Sequence, residues 1–272
     1  MLKLLLVLSL TLFLTACADD PPLDFPEKSS ADATSAQDHR PEGIRLTETG
    51  HQKASISGKE TLAFDLEWSN RNGLKASLIQ RMDGSAIHIR YTSGTQAWWD
   101  GRRVRLEPAP GDTISAAQAR FDLRAWHYWS CLPYKLSDPG TRWQALPDRT
   151  LDGRVCAVGR LSFEPGTGDT PDDWFAVFTD RKSHLIRAAF FVATFNHDSK
   201  IEAAKTPQMI RYQDYNFTRG VPVARRWVFS GWQTDSLEGS VPLGEVFITN
   251  VRFGVDETEL NAKDKSEARG RR

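Results

Sequence analysis

From Leu62 to Leu106 apolar and polar residues alternate with a period of two, the mark of strands with one buried face. Leu62, Phe64, Leu66 and Trp68 point one way, Asp65 and Glu67 the other, and Asn72-Gly73 then turns the chain. Leu74, Ala76 and Leu78 alternate with Lys75 and Ser77 before Asp83-Gly84; Ile87, Ile89 and Tyr91 follow against His88 and Arg90. Asp100-Gly101 separates Trp98-Trp99 from Val104 and Leu106. Asn-Gly and Asp-Gly supply the positive φ that tight hairpin turns require, so these segments read as successive antiparallel hairpins. After an interruption the pattern resumes at 151–163, 173–180, 184–195, 208–217, 222–232 and 243–253, about eleven strands in all. The segment 185–195, LIRAAFFVATF, is apolar on both faces apart from Arg187 and Thr194, which predicts cover on both sides. Arg225, Trp227 and Phe229 share one face against Arg226 and Val228, the pattern of a half-exposed strand. The fold class is mainly β: one curved antiparallel sheet with a helix packed on it.

That helix lies in the interruption, over 113–132. Ser115 and Gln118 form an S-x-x-Q capping box, and Pro133 marks the far end. Phe121, Ala125, Tyr128, Trp129 and Leu132 fall on one stripe, with Leu123 and Trp126 placed nearly opposite, so that Trp126 faces away from Trp129. A helix with two apolar sides is contacted twice. Either Trp126 packs under the following segment, 133–147, or the helix lines a lipid-sized cleft with Trp126, Tyr128, Trp129 and Leu132 as its lining.

The ends of the chain do not share this patterning. Residues 1–17, MLKLLLVLSLTLFLTAC, carry Lys3 and then an apolar run of about 11 residues, short of the ~20 that span a bilayer and suited to a secretory signal. Leu14-Thr15-Ala16-Cys17 looks like the lipobox of bacterial lipoproteins, which implies a signal peptide 1–16 and diacylglycerol on the Cys17 sulfur. Anchoring there is through the diacylglycerol and a further acyl chain, since two chains hold where one does not. Ala18 rather than Asp follows Cys17, which in Gram-negative lipoproteins points to the outer membrane, with the domain in the periplasm. Residues 17–43 read as the lipidated Cys and a flexible tether rich in Pro, Ser, Asp and Ala; 256–272 reads as a mixed-charge tail. The span 44–255 is left as one β domain.

Composition narrows the partners. Lys+Arg 35 balances Asp+Glu 35, and removing residues 1–16 removes Lys3 alone, leaving 34 basic and 35 acidic groups. No basic field for nucleic acid is present, so no nucleic-acid partner is expected. The surplus is aromatic: Trp 9, Phe 14 and Tyr 5 against Met 3 and Cys 3.

The stretch Phe121-Asp-Leu-Arg-Ala-Trp126-His-Tyr-Trp129-Ser-Cys-Leu132-Pro133-Tyr-Lys-Leu-Ser-Asp138-Pro-Gly140, with the Leu151-Asp152-Gly153 turn, Pro171-Asp172-Asp173-Trp174 and Thr179-Asp180, resembles an uncharacterised family of bacterial envelope lipoproteins. That family is related to the LolA-like superfamily of lipoprotein carriers, and the match covers roughly residues 61–253. The resemblance implies a half-open barrel of about eleven strands with helices on its concave face, and an acyl chain or other hydrophobic ligand between them. The family's N-terminal helix is missing or reduced to the short polar stretch 47–60.

Other chemistry is sparse. With Cys17 acylated, Cys131 and Cys156 remain, and export permits a disulfide between them; two unrelated buried thiols are the alternative. No H-E-x-x-H, Cys-x-x-Cys, G-x-S-x-G or phosphate-cradling Gly loop occurs, so no catalytic residue, metal ligand or cofactor is assigned. The reading is a non-enzymatic, lipid-anchored binding protein for a hydrophobic small molecule or lipid. Its alternatives are an envelope interaction or structural module with a self-filled core, or a hydrolase of unknown class. The sequence names no protein partner.

Overall fold

The first hairpins form as the alternation dictates: β1 (Thr61–Ser69), β2 (Lys75–Arg81), β3 (Ile87–Tyr91), β4 (Gln96–Trp99) and β5 (Val104–Glu107). Gly73, Gly84 and Gly101 hold the positive φ expected of their turns. A second run of hairpins follows the helix: β6 (Thr141–Leu151), β7 (Arg154–Phe163), β8 (Trp174–Asp180), β9 (Ile186–Val192), β10 (Gln208–Thr218), β11 (Val221–Gln233) and β12 (Ser236–Phe253). Among the described residues the α-helices are α1 (Glu42–Gly50), α2 (Ala116–Lys135) and the short α3 (Lys200–Ala203), with a 3-10 turn at Lys53–Ser55. The computed structural model describes residues 40–69, 73–168, 170–195, 200–233 and 236–256, with 258 and 260. The signal segment, Cys17, the tether up to residue 39 and the tail beyond 260 lie outside the described residues. Among the described residues no helix is long and apolar enough to cross a membrane.

All twelve strands join one open, curved antiparallel sheet in the order β5-β4-β3-β2-β1-β12-β11-β10-β9-β8-β7-β6. This is the half-open architecture that the resemblance implies, with one strand more than the eleven expected. The extra strand is β6. Its sequence, TRWQALPDRTL, offers no apolar alternation and contains Pro147, and the register shifts between Leu146 and Arg149. Proline and a bulge are tolerated there because β6 is an edge strand with one row of hydrogen bonds free.

The second departure from expectation is α1. It buries Ile44, Thr47 and Glu48 and begins at Glu42, within the stretch read as tether. Glycines at its two ends give it a close seat. A Cβ on Gly43 would lie 2.9 Å from the Trp143 ring, and one on Gly50 would lie 2.2 Å from the carbonyl oxygen of His184. Trp143, on β6, also covers Gly159 of β7, where a Cβ would fall 1.9 Å from the ring. The helix and the edge strand are thus held by one indole lying in a slot with glycine on both walls.

Helix α2 starts as its capping box predicts, with the Gln118 N–H donating to Ser115 Oγ at 3.1 Å. It does not stop at Pro133 but runs to Lys135. A proline inside a helix leaves the carbonyl four residues earlier without its donor, here that of Trp129. The Tyr212 hydroxyl of β10 donates to that oxygen at 3.1 Å. The helix therefore passes through a proline because a strand residue supplies the missing donor.

The apolar segment 185–195 is covered on both faces, as expected. Register pairs Phe175 with Phe191 on the face that meets α2, and Phe178 with Ala188 on the other. On that other face Phe190 packs against Phe178 and Trp232, both with ring centroids 4.8 Å away, and Trp232 against Trp174 at 6.5 Å. This second cluster settles the two cysteines. Cys156 pairs with Asp180 on the Phe178 face, whereas Cys131 belongs to α2 on the opposite side of the sheet. Both are free, buried thiols, so the proposed bridge is corrected to its alternative.

Two measurements check these contacts. Tyr212→Phe should cost about 1–3 kcal/mol by leaving the Trp129 carbonyl unpaired, and only a few tenths in a Pro133→Ala background where the backbone N–H returns. Equal costs in both backgrounds, measured by urea unfolding, would refute the substitution of donors. Gly159→Ala should destabilise by about 1–3 kcal/mol because Trp143 must leave its slot; an unchanged unfolding midpoint and Trp emission would count against it.

Candidate functional site

The chain leaves the sheet at one edge, β5, and re-enters at the other, β6, so the connecting segment must pass over a face. α2 is that segment, and its aromatic residues meet the concave face along its length. Near its start, Asp122 accepts from the Tyr91 hydroxyl of β3 at 2.8 Å and from Gln118 Nε2 at 2.8 Å. Arg120 and Arg124 each place a guanidinium 5.0 Å from the centre of the Trp99 ring. Burial raises the Asp122 carboxyl to about 6, opposed by the hydrogen bonds from Tyr91 and Gln118.

Further along, the four expected lining residues come together, though not as a cleft wall. Trp126 is 1% exposed and packs edge-on to Trp68 at 5.5 Å and beside Trp227 at 6.3 Å. It does not lie under 133–147, and it does not face away from Trp129: the two rings meet edge-to-face at 5.1 Å. Positions three apart on a helix differ by only about 60° around the axis, so two long side chains there touch. Trp129 reaches Phe229 at 5.1 Å and Phe191 at 6.2 Å; Tyr128 reaches Phe175 at 5.0 Å; Leu132 is fully buried. T-shaped and offset arrangements of this kind add to simple burial.

A small space lies beside Trp129. A cavity of about 30 Å³ sits between the end of α1, the last turns of α2 and strands β1 and β10–β12, with Trp129, Tyr134, Tyr212, Tyr215 and His51 in its lining. That volume suits one water, far below the hundreds of Å³ of a drug-sized ligand site. Of the four expected residues only Trp129 reaches it.

The polar groups of the lining are mostly engaged with backbone. His51 Nε2 accepts from the Ile186 N–H at 3.1 Å, Tyr134 donates to the His51 carbonyl at 3.1 Å, and Tyr215 donates to the Ile186 carbonyl at 2.8 Å. Burial holds the His51 ring neutral, pushing its pKa down to about 3. His51 therefore pins the α1 end to β9 rather than offering an acid or base. Sequence reasoning passed over it because a lone His in a polar stretch, ten residues before β1, carries no motif. Among the described residues no three His, Cys, Asp or Glu side chains gather as metal ligands.

Solved structures with a similar course of chain include a putative outer membrane lipoprotein-sorting protein domain from Vibrio parahaemolyticus. It is 12% identical, with 81% of this chain and 97% of that one covered and a TM-score of 0.47. A LolA superfamily protein from Nitrosomonas europaea is 10% identical over 76% and 92%, with a TM-score of 0.49. A DUF1329 family protein from Desulfovibrio piger is 10% identical over 83% and 97%, also at 0.49. No family model and no curated protein matches the chain. At these identities and scores the likeness is one of architecture, and no residue role follows from it.

Asp122 gives the site a pH signature. A carboxyl with a raised folded pKa contributes stability that is present below the unfolded value near 3.8 and lost as pH rises through about 6. Asp122→Asn keeps an acceptor for Tyr91 and removes that loss. Its stability relative to the parent should grow between pH 4 and 6, by on the order of 3 kcal/mol in total, and level off above. Denaturant unfolding at pH 4, 5, 6 and 7 measures it, and a difference independent of pH would contradict the assignment.

Proposed function

We propose that the chain is a lipid-anchored protein of the bacterial envelope whose concave face and α2 hold a hydrophobic ligand, a lipid or an acyl chain. The observation that carries this is the composition of the seam between helices and sheet. Its lining is aromatic and aliphatic, with a few fixed polar groups, the make-up of a small-molecule site. The cavity there amounts to about 30 Å³, so a larger ligand is accommodated as α1 and the end of α2 shift from the sheet and trade their own contacts for those of the ligand. Each Å² of apolar surface so covered contributes about 25 cal/mol. The lipobox ending at Cys17 and the Ala18 that follows support diacylglycerol attachment and an outer-membrane address. The same small volume favours a second reading, an envelope interaction module whose core is filled by its own side chains.

Native mass spectrometry of the protein extracted from membranes in mild detergent, together with uptake of a fluorescent fatty acid, separates the two. Co-purifying lipid and saturable uptake are expected; a clean apo mass with no uptake leaves the self-filled module. Cys17→Ser should abolish palmitate labelling in cells, and retained label would remove the anchor from the proposal.

A further inference from the structure

The turns that join β6 to β7, β8 to β9 and β10 to β11 fall at one end of the sheet, because alternate connections of an antiparallel meander share an end. Two large apolar side chains stand open there. Phe217, next to the β10–β11 turn, is 65% exposed, and Val155, next to the β6–β7 turn, is 52% exposed. The cavity beside Trp129 reaches the same end: Phe217 pairs with Pro222, and both Pro222 and Tyr215 are in the cavity lining.

The chain also enters at this end. α1 is the first described element, and Arg181 of the β8–β9 turn donates to Glu42 in its first turn at 3.0 Å. Gly50, at the other end of α1, lies against His184 of the same turn. Residues 18–39, which lead from Cys17 to α1, therefore draw this end of the sheet toward whatever holds Cys17. Charge here is uneven. Carboxylates are met by arginines: Glu42 and Asp148 by Arg181, Asp152 by Arg211, Asp180 by Arg154. Arg45 on α1, Arg149 on β6 and Lys182 in the β8–β9 turn are exposed and form no salt bridge among the described residues.

We propose that this end of the molecule rests on an anionic phospholipid bilayer, with Phe217 and Val155 set among the headgroups and Arg45, Arg149 and Lys182 facing lipid phosphates. The proposal rests on the anchored reading of Cys17 and adds the orientation in which the anchored domain sits. An open aromatic ring and an open aliphatic side chain flanked by free cations have the chemistry of an interfacial contact. The apolar groups enter the headgroup region, and each nearby cation gains from the negative surface potential. Two acyl chains already hold the molecule at the membrane, so the contact has only to fix orientation, for which a few side chains suffice. It also turns the cavity toward the bilayer, the source of the lipid ligand proposed above.

The test uses protein extracted from cell membranes in mild detergent and carrying Phe217→Cys, Val155→Cys or, on the half of β12 nearer the opposite end of the sheet, Val241→Cys. Cys131 and Cys156 are buried, so a maleimide fluorophore takes the introduced thiol. In vesicles of phosphatidylglycerol and phosphatidylethanolamine, quenching by spin-labelled lipids should place the Phe217→Cys and Val155→Cys labels about 5–10 Å into the interface and leave the Val241→Cys label in water. In phosphatidylcholine alone, or with Arg149→Gln and Lys182→Gln added, the Phe217→Cys label should become shallower. Phe217→Cys and Val155→Cys labels as wet as the Val241→Cys label, in protein that floats with the vesicles and incorporates palmitate in cells, overturn the orientation alone. Equal depth in anionic and neutral vesicles overturns the choice of anionic lipid. A parent that takes no palmitate removes the anchored reading, and the proposal then stands or falls on whether labelled protein added to preformed vesicles shows the Phe217→Cys quench.

Discussion

The structure depends on one topological constraint: the chain must travel from one edge of its sheet to the other without leaving the molecule. β5 and β6 are consecutive strands at opposite edges of a twelve-stranded sheet. Eleven spacings of about 4.8 Å make roughly 53 Å measured along such a sheet, whereas the twenty residues of α2 span about 30 Å. The helix lies along a chord of the curved sheet and fills the hollow beneath it. Its aromatic load follows from this position: Trp126 and Trp129 meet residues from β1, β9 and β11, strands far apart in sequence that only a central rod can touch together.

Polar groups under the helix act as single fastenings rather than as a reactive site. The Tyr212 hydroxyl replaces the donor that Pro133 lacks, Asp122 receives Tyr91, and His51 receives the Ile186 N–H. Each fastening satisfies a group that burial would otherwise leave unpaired. Between them the contact is apolar and non-directional, with Leu123, Trp126 and Leu132 buried against the sheet.

Strands with one wet face were legible in the sequence, since the alternation of Leu62, Phe64 and Leu66 maps directly onto burial in β1. Two-sided burial at 185–195 was legible for the same reason. β6 was not, because an edge strand needs no apolar face and its anchor, Trp143, is meaningful only once Gly43 and Gly159 are brought together. α1 was hidden by polar composition; two of its three buried residues are Thr47 and Glu48. For the candidate site the aromatic stripe of α2 was visible, but setting Trp126 opposite Trp129 overlooked that residues three apart lie only about 60° apart around a helix, and their rings touch. The cysteines show what pattern lacks. Alternation placed Cys156 on the face away from Leu161, yet only the fold shows that α2, and with it Cys131, covers the Leu161 face.

The pairing of β1 with β12 joins the first strand to the last, with Leu62 opposite Phe253. Every other ladder closes between neighbours in sequence and can form as soon as its hairpin exists. The central seam alone waits for the whole chain, so folding is a sequence of two meanders followed by one long-range closure, and the last step is the slow one. A chain interrupted before β12 would carry complete hairpins and two exposed inner edges, a form suited to aggregation and to capture by quality-control proteases.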